Sequence, residues 1–168
     1  MKALFFMRHG QAVEKADRVY EDKDRPLTKE GVKKLEREAE GLREIVESFD
    51  AILTSPMKRA YQTGAIIAES FGIEKKLEIC NELSPRASFS KLMEALEKYK
   101  GKNNILLVGH EPDITFTIST FLAAKNPCLI LKKGGVCRIN ITGLAPKYSA
   151  EMAWLLQPKV LRMIGGKR

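Results

Sequence analysis

Lys2-Ala-Leu-Phe-Phe-Met-Arg-His-Gly10 is the stretch on which the reading of this chain turns. Ala3 to Met7 is a short apolar run of the length and character of a buried strand. It delivers Arg8 and His9 into a turn opened by Gly10, an odd end for a strand that serves packing alone. The sequence holds one other histidine, His110, and it closes a second apolar run, Ile105-Leu-Leu-Val-Gly-His110. If the two runs are parallel neighbours in one sheet, both imidazoles emerge at the same carboxyl edge. Open α/β sheets take their ligands at that edge.

Outward from this stretch, Gln11 to Asp24 is rich in charge and has no regular period, so it reads as a loop passing over the site. Thr28 then suits an N-cap, although Gly31 stands where a capping box would place Glu or Gln. Val32, Leu35, Ala39, Leu42, Ile45 and Val46 recur at helical spacing and define one buried face, opposite Lys33, Lys34, Arg37, Glu40 and Glu44. Phe49 to Thr54 reads as a second buried strand. Ser55-Pro56 follows as a helix start, a capping hydroxyl with a proline at the first helical position. Arg59 falls in the first turn of that helix, whose inner stripe is Ala60, Gly64, Ile67 and Phe71. A cation at a helix N-terminus is disfavoured by the dipole unless it has an anion to hold.

Leu77 to Cys80 suggests a further strand, followed by Asn81-Glu82-Leu83-Ser84-Pro85. Phe89, Leu92, Met93 and Leu96 mark another amphipathic helix. Ile114, Ile118, Phe121 and Leu122 line a helix after the Gly109-His110-Glu111-Pro112 turn. Beyond it, Leu129 to Leu131, Val136 to Ile141 and Glu151 to Leu156 read as strands, the first two joined in a hairpin through Lys133-Gly134-Gly135. There is no internal repeat, low-complexity tract or linker. The expectation is a single α/β domain over residues 1–168 with a central, mostly parallel mixed sheet.

Composition narrows the function. At 168 residues, 44% hydrophobic and 30% charged, the chain is long enough for a sizeable core and unlike a disordered one. No apolar run approaches the ~20 residues of a membrane span, and the first run is too short for a signal peptide's apolar region. A cytoplasmic protein is expected. Cys80, Cys128 and Cys137 are odd in number and not closely paired, so neither a disulfide framework nor a zinc site is indicated. The net charge of +8 favours anionic partners. The lysines are spread among glutamates along the helices, however, and the signatures of nucleic-acid recognition are missing.

Three strand exits thus deliver Arg8, His9, Arg59 and His110. Two guanidinium groups and two imidazoles suit a dianionic phosphoryl group, whose oxygens arginine forks bind in pairs. At ~4 Å and an effective dielectric of ~20, each charge pair is worth roughly 4 kcal/mol before desolvation. The same field stabilises the charge on a transferring phosphoryl group and disfavours protonation of a neighbouring imidazole. A neutral histidine there is a nucleophile.

Arg8-His9-Gly10, Ser55-Pro56-Met-Lys-Arg59-Ala60 and Gly109-His110 together resemble the motifs of the histidine phosphatase superfamily, the phosphoglycerate mutase-like fold. Arg25-Pro26-Leu27-Thr28, Glu82-Leu83-Ser84-Pro85, the His110-Glu-Pro112 turn, the short length and the tail from Gln157-Pro158 to Met163 are similar to its SixA-type branch of phosphohistidine phosphatases. The resemblance implies a three-layer α/β/α sandwich and needs no metal or organic cofactor. It implies that His9 carries the phosphoryl group as a covalent phosphohistidine while Arg8, Arg59 and His110 hold its oxygens. A backbone carbonyl near Gly10 would orient the other ring nitrogen of His9, and Arg25 would border the pocket. Glu82 matches the carboxylate that serves as general acid in ester-cleaving members, with Asp22 and Glu111 as further candidates. The implied substrate is phosphohistidine in a protein, because a short chain without lid insertions leaves an open site. The alternatives are a broad phosphomonoesterase of small molecules and, in a different class, a non-catalytic phosphate- or phosphoprotein-binding module.

Overall fold

The computed structural model describes residues 2–17, 19–142 and 149–166. Arg18, inside the expected 11–24 loop, and the two ends of the 1–168 domain lie outside them. The first apolar run forms β1 (Lys2–Arg8), and the second forms β4 (Asn104–Gly109). They are parallel neighbours, with Phe6 opposite Leu107 and Arg8 opposite Gly109. Beyond β4 lie β2 (Ala51–Thr54) and β3 (Leu77–Ile79), also parallel. On the other side of β1 the sheet continues antiparallel through β5 (Val136–Thr142) and β6 (Ser149–Leu156). The strand order is β3-β2-β4-β1-β5-β6.

Side chains alternate across a strand, so β1 feeds two cores. Phe5 and Met7 face α1 (Lys29–Arg43), α2 (Lys58–Phe71) and α5 (Pro158–Gly165), joining Leu35, Ile67 and Leu161. Leu4 and Phe6 face α3 (Phe89–Glu97) and α4 (Asp113–Phe121), joining Leu96 and Ile118. The result is the α/β/α sandwich expected of the phosphoglycerate mutase-like fold.

Local sequence explains where the helices begin. Thr28 caps α1, its hydroxyl accepting from the Gly31 amide at 2.9 Å. A Cβ at Gly31 would lie 2.1 Å from the Gln11 carbonyl oxygen, so the crossing of the loop forbids a capping-box glutamate there. Leu35, Ala39, Leu42 and Val46 are buried as their spacing predicts. Ile45 is not: α1 ends at Arg43, the helical period ends with it, and Ile45 is 40% exposed. The buried face also takes in Glu38, whose carboxylate pairs with Arg162 of α5.

Two further expectations are corrected. Leu129 to Leu131 is not a strand, and the hairpin through Gly134-Gly135 does not form. Leu131 is buried, but its carbonyl accepts from the Arg8 guanidinium at 3.1 Å rather than from a neighbouring strand. Gly134, at φ +83°, turns the chain into β5, which pairs instead with β1 and β6. Ser55 does not cap a helix. The first helical residue is Lys58, the flanking position is Met57, and the Ser55 hydroxyl turns inward.

Candidate active site

His9 leaves the end of β1 next to Gly10, and two contacts define its ring. Nδ1 lies 2.8 Å from the Gly10 carbonyl oxygen, an acceptor only, so Nδ1 carries the proton. Arg59 Nε donates to Nε2 at 3.3 Å, which requires a lone pair there. Both contacts specify the same neutral tautomer, with the ring's lone pair on Nε2. Burial drives the His9 pKa down to about 3; the Gly10 bond opposes this, and the charges of His110, Arg59 and Arg8 reinforce it.

The backbone that orients His9 is itself held from α2. Thr63 Oγ1 accepts from the Gly10 amide at 3.0 Å and donates to the Arg59 carbonyl at 2.7 Å. Sequence reasoning missed Thr63. Its signal was periodicity, since a threonine four residues after Arg59 occupies the same helical face. Gln62, one residue earlier, accepts from the Leu27 amide at 2.8 Å and anchors the end of the 11–24 loop on α2.

His110 emerges from β4 with its ring centroid 5.1 Å from that of His9, as the parallel pairing requires. Its Nε2 lies 2.8 Å from Ser55 Oγ. Burial is the first cause of its pKa falling to about 4. Arg59, Arg25 and Arg8 push the same way, and Asp22 opposes them. Arg8 is half-buried at the β1 end. Its Nε and His110 Nδ1 are buried without a hydrogen-bond partner among the described residues. Polar atoms so placed are exceptional in a native interior.

Arg59 is buried, and its guanidinium does not yet point to a free space. Nη1 donates to the Asp22 carbonyl oxygen at 2.6 Å, and Nη2 lies 3.5 Å from Asp22 Oδ2. Arg25 shares the same aspartate, donating to Oδ1 from Nε at 3.0 Å and Nη2 at 2.7 Å, while its Nη1 reaches the Val13 carbonyl. Burial raises the Asp22 pKa, but the Arg25 bonds and the Arg59 charge prevail and hold its carboxyl below the usual range. Asp22 is therefore an ionised partner of two arginines, not a proton donor.

Glu82 lies on the short turn Asn81–Leu83 and, with His110, borders a cleft lined by Phe6, Leu83, Phe89 and Ile114. Its Oε2 accepts from Cys80 Sγ at 3.3 Å. Burial, then the bond to Glu82, pushes the Cys80 thiol up to about 11, which keeps it a donor. Glu111 accepts from Thr115 Oγ1 at 2.6 Å within its own helix start. Among the described residues no group of three or more His, Cys, Asp or Glu is placed to hold a metal ion, and no helix is long and apolar enough to cross a membrane.

Comparison with known proteins identifies the family. The family model of the histidine phosphatase superfamily (branch 1) matches residues 4–87. An uncharacterized protein of Picosynechococcus sp. is 37% identical over 94% of this chain and 98% of its own length. A phosphohistidine phosphatase SixA homolog of Haemophilus influenzae is 30% identical over 74% of this chain and 79% of its own. Among solved structures, the protein histidine phosphatase SixA complexed with tungstate superposes with a TM-score of 0.81 at 21% identity, covering 94% of this chain and 97% of that one. By the family match and by its identity to the SixA homolog, the chain belongs to the histidine phosphatase superfamily and is a SixA-like phosphatase.

Proposed function

We propose that the chain hydrolyses phosphohistidine in proteins through a covalent phosphohistidine on His9. The observation that carries this reading is the fixed tautomer of His9: Nδ1–H held by the Gly10 carbonyl, Nε2 unprotonated and accepting from Arg59. In the first step the Nε2 lone pair attacks phosphorus, a bond from His9 to phosphorus forms, and the bond from phosphorus to the substrate imidazole breaks. The departing nitrogen takes its proton from solvent. In the second step water attacks phosphorus, the bond to His9 breaks, and inorganic phosphate leaves with His9 neutral again. Arg8, Arg59 and the free edge of His110 hold the phosphoryl oxygens throughout, and Arg25 borders the pocket. Arg59 exchanges Asp22 for the incoming dianion.

Supporting this are the paired arginines, the unpartnered donors of Arg8 and His110, and the likeness to a phosphohistidine phosphatase SixA homolog. The test is covalent. A radiolabelled phosphodonor is expected to leave an acid-labile, base-stable label on the wild-type chain and none on His9→Ala. Turnover by His9→Ala at the wild-type rate would overturn the assignment. Phosphate binding with neither label nor hydrolysis in the wild type would leave a binding module instead.

The cleft that Glu82 and His110 both line favours a second reading, a small-molecule phosphomonoesterase. An alkoxide leaving group needs a proton in the transition state, whereas an imidazole needs it less. Glu82→Gln is therefore expected to lower phosphoester cleavage by about 10²–10⁴-fold and to affect phosphoramidate cleavage much less. Equal losses on both would remove Glu82 from acid catalysis. Relative kcat/KM for a phosphohistidine-bearing protein against a panel of small phosphoesters decides between the substrates.

A further inference from the structure

Ser55 is fully buried at the end of β2, and its hydroxyl touches two groups among the described residues. Because Pro56 has no amide hydrogen, the first backbone donor available after Ser55 is that of Met57. It donates to Ser55 Oγ at 3.3 Å. The second group is His110 Nε2, at 2.8 Å. A hydroxyl has one proton and two lone pairs. With the Met57 amide on a lone pair, the hydroxyl proton has one acceptor in reach, the Nε2 of His110.

From this geometry we infer that Ser55 is a positioning residue that sets the tautomer of His110, so that its ring presents Nδ1–H to the phosphoryl oxygens. The inference rests on the phosphoryl-transfer reading for its purpose, though not for its observations. The opposite tautomer fails twice. With the proton on Nε2, the Ser55 hydroxyl hydrogen would have no acceptor in a fully buried place. Nδ1 would then show a bare lone pair toward an anion that carries only acceptors. Which ring nitrogen is protonated follows from the hydrogen bond that the other one makes. A donor fixed before substrate arrives needs no rearrangement during the reaction, the condition under which a dipole stabilises developing charge best.

His9 and His110 are thus wired alike by different means. The Gly10 carbonyl places the proton of His9 on Nδ1 and so leaves Nε2 free to attack. The Ser55 hydroxyl places the proton of His110 on Nδ1 and so makes that edge a donor. One neutral ring becomes the nucleophile and the other an electrophilic clamp. The protein holds the protonated edge of one ring and the unprotonated edge of the other.

The test is spectroscopic first. In the full chain with ¹⁵N-labelled histidine, near neutral pH, long-range ¹H–¹⁵N spectra are expected to show His110 protonated at Nδ1 and unprotonated at Nε2. Ser55→Ala is expected to give a mixture of His110 tautomers with the His9 pattern unchanged. Its kcat should fall about 10–100-fold, as when a hydrogen-bond partner that fixes the tautomer of a metal-bound histidine is removed. A wild-type His110 protonated at Nε2 overturns the proposal, and so does a Ser55→Ala spectrum with the tautomer intact. The wild-type spectrum decides even if the variant does not fold. If His9 takes no label while Ser55 still governs the His110 tautomer, the hydrolytic reading falls and this assignment stands. A labelled His9 beside a His110 protonated at Nε2 is the converse result.

Discussion

Arg59→Ala is expected to lower kcat by about 10³–10⁵-fold with the fold retained, the range seen when an arginine acting on a transferring phosphoryl group is lost. That corresponds to about 4–7 kcal/mol of transition-state stabilisation. The size follows from where the guanidinium sits. It is buried, so its charge acts at short range and low screening, and its Nε lies 3.3 Å from His9 Nε2. Charge builds on the phosphoryl oxygens in the transition state, so kcat should fall further than KM rises. The fold should survive because, among the described residues, the guanidinium bonds to His9 and Asp22, both part of the site. Steady-state kinetics with thermal melts of both proteins check this; a loss below tenfold would take Arg59 out of the pocket.

Acid sensitivity is the second large effect. The native chain holds His9 and His110 neutral, with pKa values of about 3 and about 4, against 6.5 for the ordinary group. As pH falls below 6.5 the unfolded chain takes up these two protons while the folded chain refuses them, so stability declines. Each proton contributes about 1.4 kcal/mol per pH unit. Glu38 acts in the opposite direction. Burial raises its pKa to about 7 against the pull of Arg162, so between 4.5 and 7 the folded chain keeps a proton that the unfolded chain has released. Its share of stability is therefore lost as pH rises through that window. Between pH 4.5 and 6.5 the three groups leave a net slope of about 1.4 kcal/mol per pH unit, stability rising with pH. Denaturant titrations at pH 5 and pH 6.5 measure it. Glu38→Gln should roughly double the slope, and a flat response in that variant would contradict the neutral histidines.

The parallel pairing of β1 with β4 was legible because both apolar runs terminate in histidine, and a buried strand has few ways to expose such an end. The meeting of Arg8, His9, Arg59 and His110 followed from that pairing. Other contacts depend on geometry that no local pattern carries. Asp22 reads in sequence as one acid in a charged loop, and only the folded loop sets it between Arg25 and Arg59. Ser55 before Pro56 has the form of a helix cap. The helix begins three residues later because the chain first turns inward to meet His110. Leu129 to Leu131 has strand composition without a strand neighbour, since the place beside β1 is taken by β5. Glu38 looks like an ordinary helix charge until α5 brings Arg162 to it.

The placement of β1 has a consequence for motion. Its backbone is bonded on both flanks, to β4 and to β5, near the middle of the sheet. Amide hydrogens of such a strand exchange with solvent only when the whole domain opens. Those of residues 11–17 and 19–24, held by the Ala12–Leu27 bridge and by side-chain bonds from Arg25 and Arg59, exchange through smaller local openings. The strand beneath the site and the segment over it therefore keep separate clocks, coupled only where Asp22 holds Arg59 beside His9.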